Sequence, residues 1–224
     1  AVHPEERERA GPVERRAGSG TYVSRQDAPG ALSFGLLIPD LGETDIFEPV
    51  CQGMMASPLA RNHALLWGSV TGEGLGKEDR AWQLCRQYIE RRVAGVFFAP
   101  LEFTSPGDDT NHRIARALDE ARIPMVLLDR DVTPYPRRGH HDLVGIDNRR
   151  AGFLITEHVL RLGSRRIAFV AQPNAAATVD AREAGYREAL YAADVPLDRA
   201  LIHRLDPSDT ASVRHLMASS RPDA

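Results

Sequence analysis

Residues 147–152 read Asp-Asn-Arg-Arg-Ala-Gly and stand where a short apolar run gives way to an amphipathic run of helical length. The apolar run, 143–146, predicts a strand, and residues 149–162 predict a helix. Asp147 stands at the junction, where its carboxylate can accept a hydrogen bond from a backbone N–H of the first helical turn. We interpret Asp147 mainly as a helix cap, with a secondary part in domain closure.

The same strand–helix unit recurs along the chain from residue 32. Strands are predicted at 34–38, 64–67, 95–99, 125–128, 143–146, 167–170 and 201–203. Helices are predicted at 46–61, 77–92, 111–122, 149–162, 181–193 and 208–218. The strands lack polar–apolar alternation, which is typical of parallel strands buried on both faces. The sequence therefore predicts an α/β fold, with parallel sheets flanked by helices.

Three segments together carry a family resemblance. Residues 147–152 are followed by His-Val-Leu-Arg-Leu-Gly at 158–163 and by Arg-Glu-Ala-Gly-Tyr at 182–186. In order and spacing they resemble the sensor domain of repressors of the LacI/GalR family. The resemblance implies a two-lobed, periplasmic-binding-protein-like fold that holds a small-molecule effector, a sugar or a related compound, between its lobes.

The loop 133–142 contains two prolines and a glycine, and it divides the predicted sensor. We assign residues 32–142 to a first lobe and 143–224 to a second. In the resembling family a further buried strand follows at about residue 224, so we expect the C-terminal part of the sensor to be missing. Residues 24–31 have the composition of a linker.

Residues 1–23 precede this linker, and 13–23 resemble the wing of a GntR-type winged helix. Combined with the sensor, this is similar to a transcriptional regulator of the arabinose-repressor type. The resemblance implies operator DNA as a partner of the full-length protein. It also implies a homodimer, for which the helices 46–61 and 77–92 are candidate contacts. The alternative interpretation of the wing-like segment is a flexible basic tail. The predicted DNA contacts are Arg15, Arg16, Gly18, Ser19, Gly20 and Thr21.

Composition limits the other classes of function. The chain has 224 residues, 42% of them hydrophobic and 26% charged, and a net charge of −3, which excludes a uniformly basic nucleic-acid coat. No apolar run is long enough to span a membrane, and the first residues lack the core of a signal peptide. Cys51 and Cys85 predict two reduced thiols, and we expect a cytoplasmic protein.

In open α/β sheets, ligands bind outside the carboxyl ends of the strands. This rule selects the loops 39–45, 69–76, 129–131 and 172–180. Asp129-Arg130 is the sharpest pair, because a carboxylate accepts and a guanidinium donates hydrogen bonds to adjacent sugar hydroxyls. The alternative is a helix cap or a surface salt bridge.

Three further ligand contacts are predicted. The family resemblance implies a sugar-contacting arginine at Arg182, which could equally be an ordinary helix-surface residue. In the first loop, Phe47 could stack on the sugar ring, or it could simply pack the first helix onto the sheet. Asp45 is the polar contact predicted from the same loop.

Other sites are not supported. Residues 72–77 mimic a phosphate loop, but the required glycine is replaced by Thr71 and the required Ser or Thr by Glu78. His140-His141 could suggest a metal site, but adjacent histidines on a loop are expected to point apart. The sequence also offers no third ligand of matching spacing. No nucleophile motif or cofactor fingerprint occurs, so neither an enzyme nor a cofactor is predicted. The alternative to a regulator is a transport-type sugar-binding protein of the same fold.

Overall fold

The structure is a computed structural model that describes residues 13–16, 20–23, 30–38, 41, 46–68 and 75–224; in the first two ranges only the backbone is described. The strands are β1 (Val13–Arg16), β2 (Gly20–Val23), β3 (Ser33–Leu37), β4 (Ala64–Trp67), β5 (Gly95–Phe98), β6 (Met125–Leu128), β7 (Asp142–Val144), β8 (Phe169–Ala171) and β9 (Ile202–Arg204). The α-helices are α1 (Phe47–Ala56), α2 (Lys77–Glu90), α3 (Thr110–Glu120), α4 (Asn148–Arg161), α5 (Ala177–Ala192) and α6 (Thr210–Ser220).

Strands β3 to β7 form one parallel sheet in the order β4-β3-β5-β6-β7. Successive residues of β3 serve opposite faces: Leu37 packs with α2 and α3, whereas Leu36 packs with α1. Both faces of the strand are therefore apolar, which explains the uninterrupted hydrophobic run. This architecture confirms the predicted α/β fold class. We call this sheet, together with α1, α2 and α3, the first lobe.

The second lobe contains α4, α5 and α6 with the parallel pair β8 and β9. Its helices α4 and α5 approach closely through two glycines. A Cβ atom at Gly152 would lie 2.1 Å from the carbonyl oxygen of Arg182, and one at Gly185 would lie 1.9 Å from that of Arg149. Neither position has room for a side chain, so packing explains the glycines in the first and third of the segments that carry the family resemblance.

Several predicted bounds differ from the structure, and two of the differences have a clear structural cause. The predicted helix 46–61 ends at Ala56 because Pro58 follows: Ser57 is extended (φ −62°, ψ 133°), and Pro58 opens a separate 3-10 helix. Strand β7 was assigned to the second lobe, but it pairs in parallel with β6 in the first sheet. The proposed lobe boundary therefore moves from 142/143 to the segment 145–147.

The N-terminal strands β1 and β2 pair antiparallel, with Val13 opposite Val23 and Arg16 opposite Gly20. This pairing agrees with the predicted hairpin. None of the helices in the part of the chain that the structure describes is long and apolar enough to cross a membrane.

Candidate functional site

Two polar cavities lie where the lobes meet. The first, about 210 Å³, is lined by the loops that follow β5 and β6 and by residues 174–177. The second, about 310 Å³, is lined by residues 129–138 and by the first turns of α4 and α5. They share Arg130, Asp131, Thr133 and Ala177, and together we call them the cleft. The cleft lies at the carboxyl ends of the parallel strands, where α/β sheets bind ligands.

A larger groove of about 470 Å³ lies elsewhere, on the face of the first sheet that carries α1. Apart from Ser57 and His63, its lining side chains are apolar. The cleft, in contrast, is lined by carboxylates, guanidinium groups, hydroxyls and amides. A hydroxylated ligand needs such groups for its hydrogen bonds, so the cleft is the better candidate.

Arg130 is the central cation of the cleft. Its side chain is only 6% exposed, and its Nη1 lies 2.7 Å from Glu102 Oε2. Its Nε lies 3.2 Å from Asp129 Oδ2, yet no aligned hydrogen bond forms there, and this buried N–H lacks a partner. A buried donor without a partner is costly, because the unmade hydrogen bond is not replaced by water. A ligand acceptor could satisfy it.

Asp129 has an unusual backbone conformation. Its φ of 67° lies in the left-handed region, which is uncommon for residues other than glycine although aspartate tolerates it. Its N–H donates to the carbonyl of Val144 at 2.8 Å, and a Cβ atom at Gly145 would lie 3.0 Å from the Asp129 carbonyl oxygen. The hydrogen bond to Val144 and the close contact with Gly145 together hold this conformation. The side chain of Asp129, 25% exposed, lines the second cavity. Such conformations cluster at functional sites.

The loop after β5 links the two lobes directly. The backbone N–H of Phe103 donates to the carbonyl of Asn174 in the second lobe at 3.0 Å. Lys77 steadies the same loop, because its Nζ donates to the carbonyls of Glu102 and Phe103. The loop therefore carries Glu102 to Arg130 while contacting the second lobe.

Several other polar groups in the cleft already have protein partners. The Asp131 carboxylate accepts from the N–H groups of Thr133 and Gly139 at 2.8 and 3.0 Å, which closes the loop between β6 and β7. Asp180 pairs with Arg204 at 3.0 Å, and the same guanidinium lies 2.5 Å from the buried Glu183. These groups shape the cleft, whereas Asp129 and Arg130 retain unused hydrogen-bonding capacity.

The predicted ligand contacts are placed unevenly. Asp129 and Arg130 both line the cleft. Phe47 is buried against the sheet, with its ring centroid 5.8 Å from the Arg130 guanidinium, so it packs behind the arginine. Arg182 is exposed, and its Nε donates to Asn148 Oδ1 at 2.8 Å, at the rim of the second cavity. Asp45 lies outside the described residues.

Four of the six predicted DNA contacts lie in the two paired strands β1 and β2. Arg15 and Arg16 are in β1, and Gly20 and Thr21 are in β2. Gly18 and Ser19 lie outside the described residues. All six assignments stay predictions.

Sequence reasoning missed the loop after β5, and with it Glu102 and Thr104, which line the first cavity. The signal was present, because this loop also follows the carboxyl end of a predicted strand, 95–99. The same rule that selected four loops selects this one.

The helix cap was predicted correctly. Asp147 precedes α4, and its Oδ1 accepts from the N–H of Arg150 at 2.9 Å. The cap fixes the first turn of α4, where Asn148 and Arg149 line the second cavity.

Comparison with known families identifies the fold. The family model described as periplasmic binding proteins and sugar binding domain of LacI family matches residues 75–223. The chain belongs to this family. The match begins at the approach to α2 and does not extend to the hairpin, so the GntR-type assignment of residues 13–23 stays a prediction.

Individual relatives of this LacI-family chain include transcriptional regulators. It is 31% identical over 161 residues to the HTH-type transcriptional regulator CelR of Thermobifida fusca, a match that covers 67% of this chain and 46% of the relative. The chain spans about half the length of the curated regulators CelR and MalR that it matches.

Solved structures with the same fold agree. A transcription regulator GntR from Chromobacterium violaceum is 30% identical, with a TM-score of 0.59, and the match covers 85% of this chain and 65% of that one. A transcriptional regulator CelR–cellobiose complex is 25% identical, with a TM-score of 0.64 and coverage of 83% and 55%.

Proposed function

We propose that this chain is the effector-binding part of a bacterial transcriptional regulator and that its cleft binds a sugar or a related hydroxylated small molecule. The observation that carries the proposal is the Glu102–Arg130–Asp129 cluster, which joins a buried guanidinium to two carboxylates at the boundary of the lobes. The relatives are regulators rather than enzymes, which supports a role in binding rather than in catalysis.

The chemistry of the cluster suits vicinal hydroxyls. Each hydroxyl can donate to a carboxylate and accept from an N–H, so one sugar edge can use Asp129 and the unpartnered Nε of Arg130 together. Two carboxylates flank one guanidinium here, so the cluster itself does not need an anionic ligand to balance its charge. Hydrogen bonds to charged groups are also stronger than those between neutral groups.

The position of the cluster suggests how binding could be transmitted. Asp129 and Arg130 belong to the first lobe, whereas Asn174, Ala177 and Thr178, which also line the cleft, belong to the second. A ligand that contacts both lobes would favour one arrangement of the lobes over another. In the full-length protein this preference would change DNA affinity.

We also propose the finer assignments that the resemblances imply. The β1–β2 hairpin is proposed to be the wing of a GntR-type DNA-binding domain; the antiparallel pairing of its two strands supports this proposal. The full-length protein is proposed to be a cytoplasmic homodimer that binds operator DNA through this domain. Salt-sensitive binding of an operator duplex by the full-length protein would test this part, since phosphate contacts release counterions.

The ligand proposal can be tested on the 224-residue chain itself. Thermal shift and titration calorimetry would screen pentoses, hexoses, cellobiose and sugar phosphates. A ligand at a concentration of 100 times its Kd raises the free energy of unfolding by about 2.7 kcal/mol. For a domain of this size this raises Tm by about 5–10 °C.

Matched variants locate the binding. Asp129→Asn removes the charge but keeps the size, and asparagine also tolerates the left-handed conformation. Asp194→Asn is the control, because Asp194 is exposed and has a φ of 53° at the end of α5. Sugar binding should weaken at least about tenfold in the first variant, the loss of one charged hydrogen bond, and stay unchanged in the second. Arg182→Gln tests the predicted contact at the rim of the second cavity.

Two results would contradict the proposal. One is a folded protein that binds no sugar in the panel. The other is a sugar that binds Asp129→Asn and Asp194→Asn with equal affinity, since the ligand would then lie away from the cleft.

A further inference from the structure

Asp119, His140 and His141 come together on the first lobe, away from the cleft. Nε2 of His141 lies 3.1 Å from Asp119 Oδ1, and Nε2 of His140 lies 3.5 Å from Oδ2 of the same carboxylate. The three ligand atoms lie within 4.8 Å of one another. The expectation that the adjacent histidines point apart was therefore wrong, because their ring centroids are 3.9 Å apart. The third potential ligand, Asp119, comes from the end of α3 and not from the same loop.

The geometry points to a site for a borderline divalent metal ion, and we propose that these three side chains bind Zn²⁺ or a chemically similar ion. Zinc bonds to histidine nitrogen and carboxylate oxygen are about 2.0–2.2 Å long, so two ligands of a tetrahedral ion lie about 3.4 Å apart. The two nitrogen–oxygen distances are already 3.1 and 3.5 Å. An ion could therefore enter with small side-chain movements, and its fourth position would hold water.

A simple hydrogen bond explains only part of the cluster. The His141 side chain is 8% exposed, and its contact with Asp119 accounts for one histidine. His140 is 78% exposed and has no need of a protein partner, yet its Nε2 also faces the Asp119 carboxylate. Convergence of two imidazole nitrogens on one carboxylate is typical of a ligand set for zinc, nickel, cobalt or copper. Magnesium and calcium favour sites built from oxygen ligands.

The location also separates this site from the cleft. Asp119 lies near the end of α3, shortly before β6 begins, and His141 directly precedes β7. The cluster is thus at the amino edge of the sheet, whereas the cleft is at the carboxyl edge. The loop 131–141 joins the two, because Gly139, next to His140, donates to Asp131 in the cleft. A bound ion would hold the end of a loop whose other residues line the second cavity.

Calorimetry with ZnCl₂ on the chelator-treated 224-residue chain tests the proposal. We expect one Zn²⁺ per chain, not displaced by a millimolar excess of Mg²⁺. His140→Gln and Asp119→Asn should each weaken binding at least about tenfold, the loss reported even for groups that only support a ligand. These positions are chosen because both side chains are partly exposed, which limits the effect on folding. His112→Gln, an exposed histidine on the same helix, is the control and should bind as the wild type does.

The proposal is overturned if the folded wild-type chain shows no saturable Zn²⁺ binding. It is also overturned if His140→Gln and Asp119→Asn bind Zn²⁺ as tightly as His112→Gln, because the ion would then be bound by other residues. Neither readout depends on a sugar ligand, so the metal site and the proposed effector cleft can fail independently.

Discussion

Replacing Gly185 with alanine should destabilise the protein, although alanine is the better helix former. Gly185 lies in α5, where it faces the backbone of α4. An added Cβ atom would be 1.9 Å from the Arg149 carbonyl oxygen and 2.6 Å from the Phe153 backbone nitrogen. Backbone atoms cannot rotate away as a flexible side chain can, so the two helices must separate.

The size of the effect follows from that separation. Real Cβ contacts essentially never fall below 3.0 Å, so the 1.9 Å approach requires a shift of about 1.1 Å between α4 and α5. Overpacking costs about 1–3 kcal/mol, and a backbone clash belongs at the upper end. The higher helix propensity of alanine offsets about 1 kcal/mol of this cost. We therefore expect a net loss of about 2 kcal/mol, or about 4–8 °C in Tm.

Urea and thermal unfolding followed by circular dichroism would measure this loss. Gly53→Ala in α1 is the matched control, because a Cβ atom there has nothing within 4 Å and the substitution should be neutral or stabilising by up to about 1 kcal/mol. If Gly185→Ala were as stable as the wild type or more so, close approach of α4 and α5 through this glycine would be refuted. The same 1.1 Å shift would move the first turns of both helices, so sugar affinity should fall in the same variant.

Two further predictions concern ionisable groups. Burial raises the pKa of the Cys85 thiol to about 11. At about pH 8, native protein should therefore react with one equivalent of dithiobis(nitrobenzoate), at Cys51, and with a second equivalent only in urea. Reaction of two equivalents with native protein would show that Cys85 is accessible. Hydrogen bonds from Ser212 and Ala211 lower the pKa of Asp209, the cap of α6, below 3.8, so its stabilisation is present above that value and is lost as pH falls through the folded pKa. Asp209→Asn should therefore narrow the difference in Tm between about pH 6 and pH 2.5, and an unchanged difference would show that this carboxylate makes no such contribution.

The helices and strands could be predicted because their patterns are local. All six helices occur where the apolar periodicity placed them, and β4 and β6 have the predicted bounds. The start of α5 was missed by four residues, since the helix begins at Ala177 and its cap position, Ala176, makes no side-chain hydrogen bond. A helix without a polar cap gives no signal at its first residue.

Long-range pairing was harder to predict. An apolar run such as 143–146 can serve either sheet, and only the pairing of β7 with β6 decides which. The cleft shows the same limit. The carboxyl-edge rule located Asp129 and Arg130. It could not predict the ion pair between Arg130 and Glu102, because these residues lie in different loops. Nor could it predict the left-handed backbone of Asp129, because the close contact with Gly145 is visible only in three dimensions.

The His140–His141 cluster shows why spacing along the chain is a weak guide to ligand sets in parallel sheets. In such a sheet every strand begins at the same edge, and the helix that precedes a strand must end at that edge. The end of α3 leads to β6, and β7 is the parallel neighbour of β6, so the residues before β7 arrive beside the last turn of α3. Asp119 and His141 are 22 residues apart, yet this topology brings them into hydrogen-bonding contact. A search for a third ligand in a parallel sheet should therefore include the last turn of the helix before the neighbouring strand, whatever its distance in sequence.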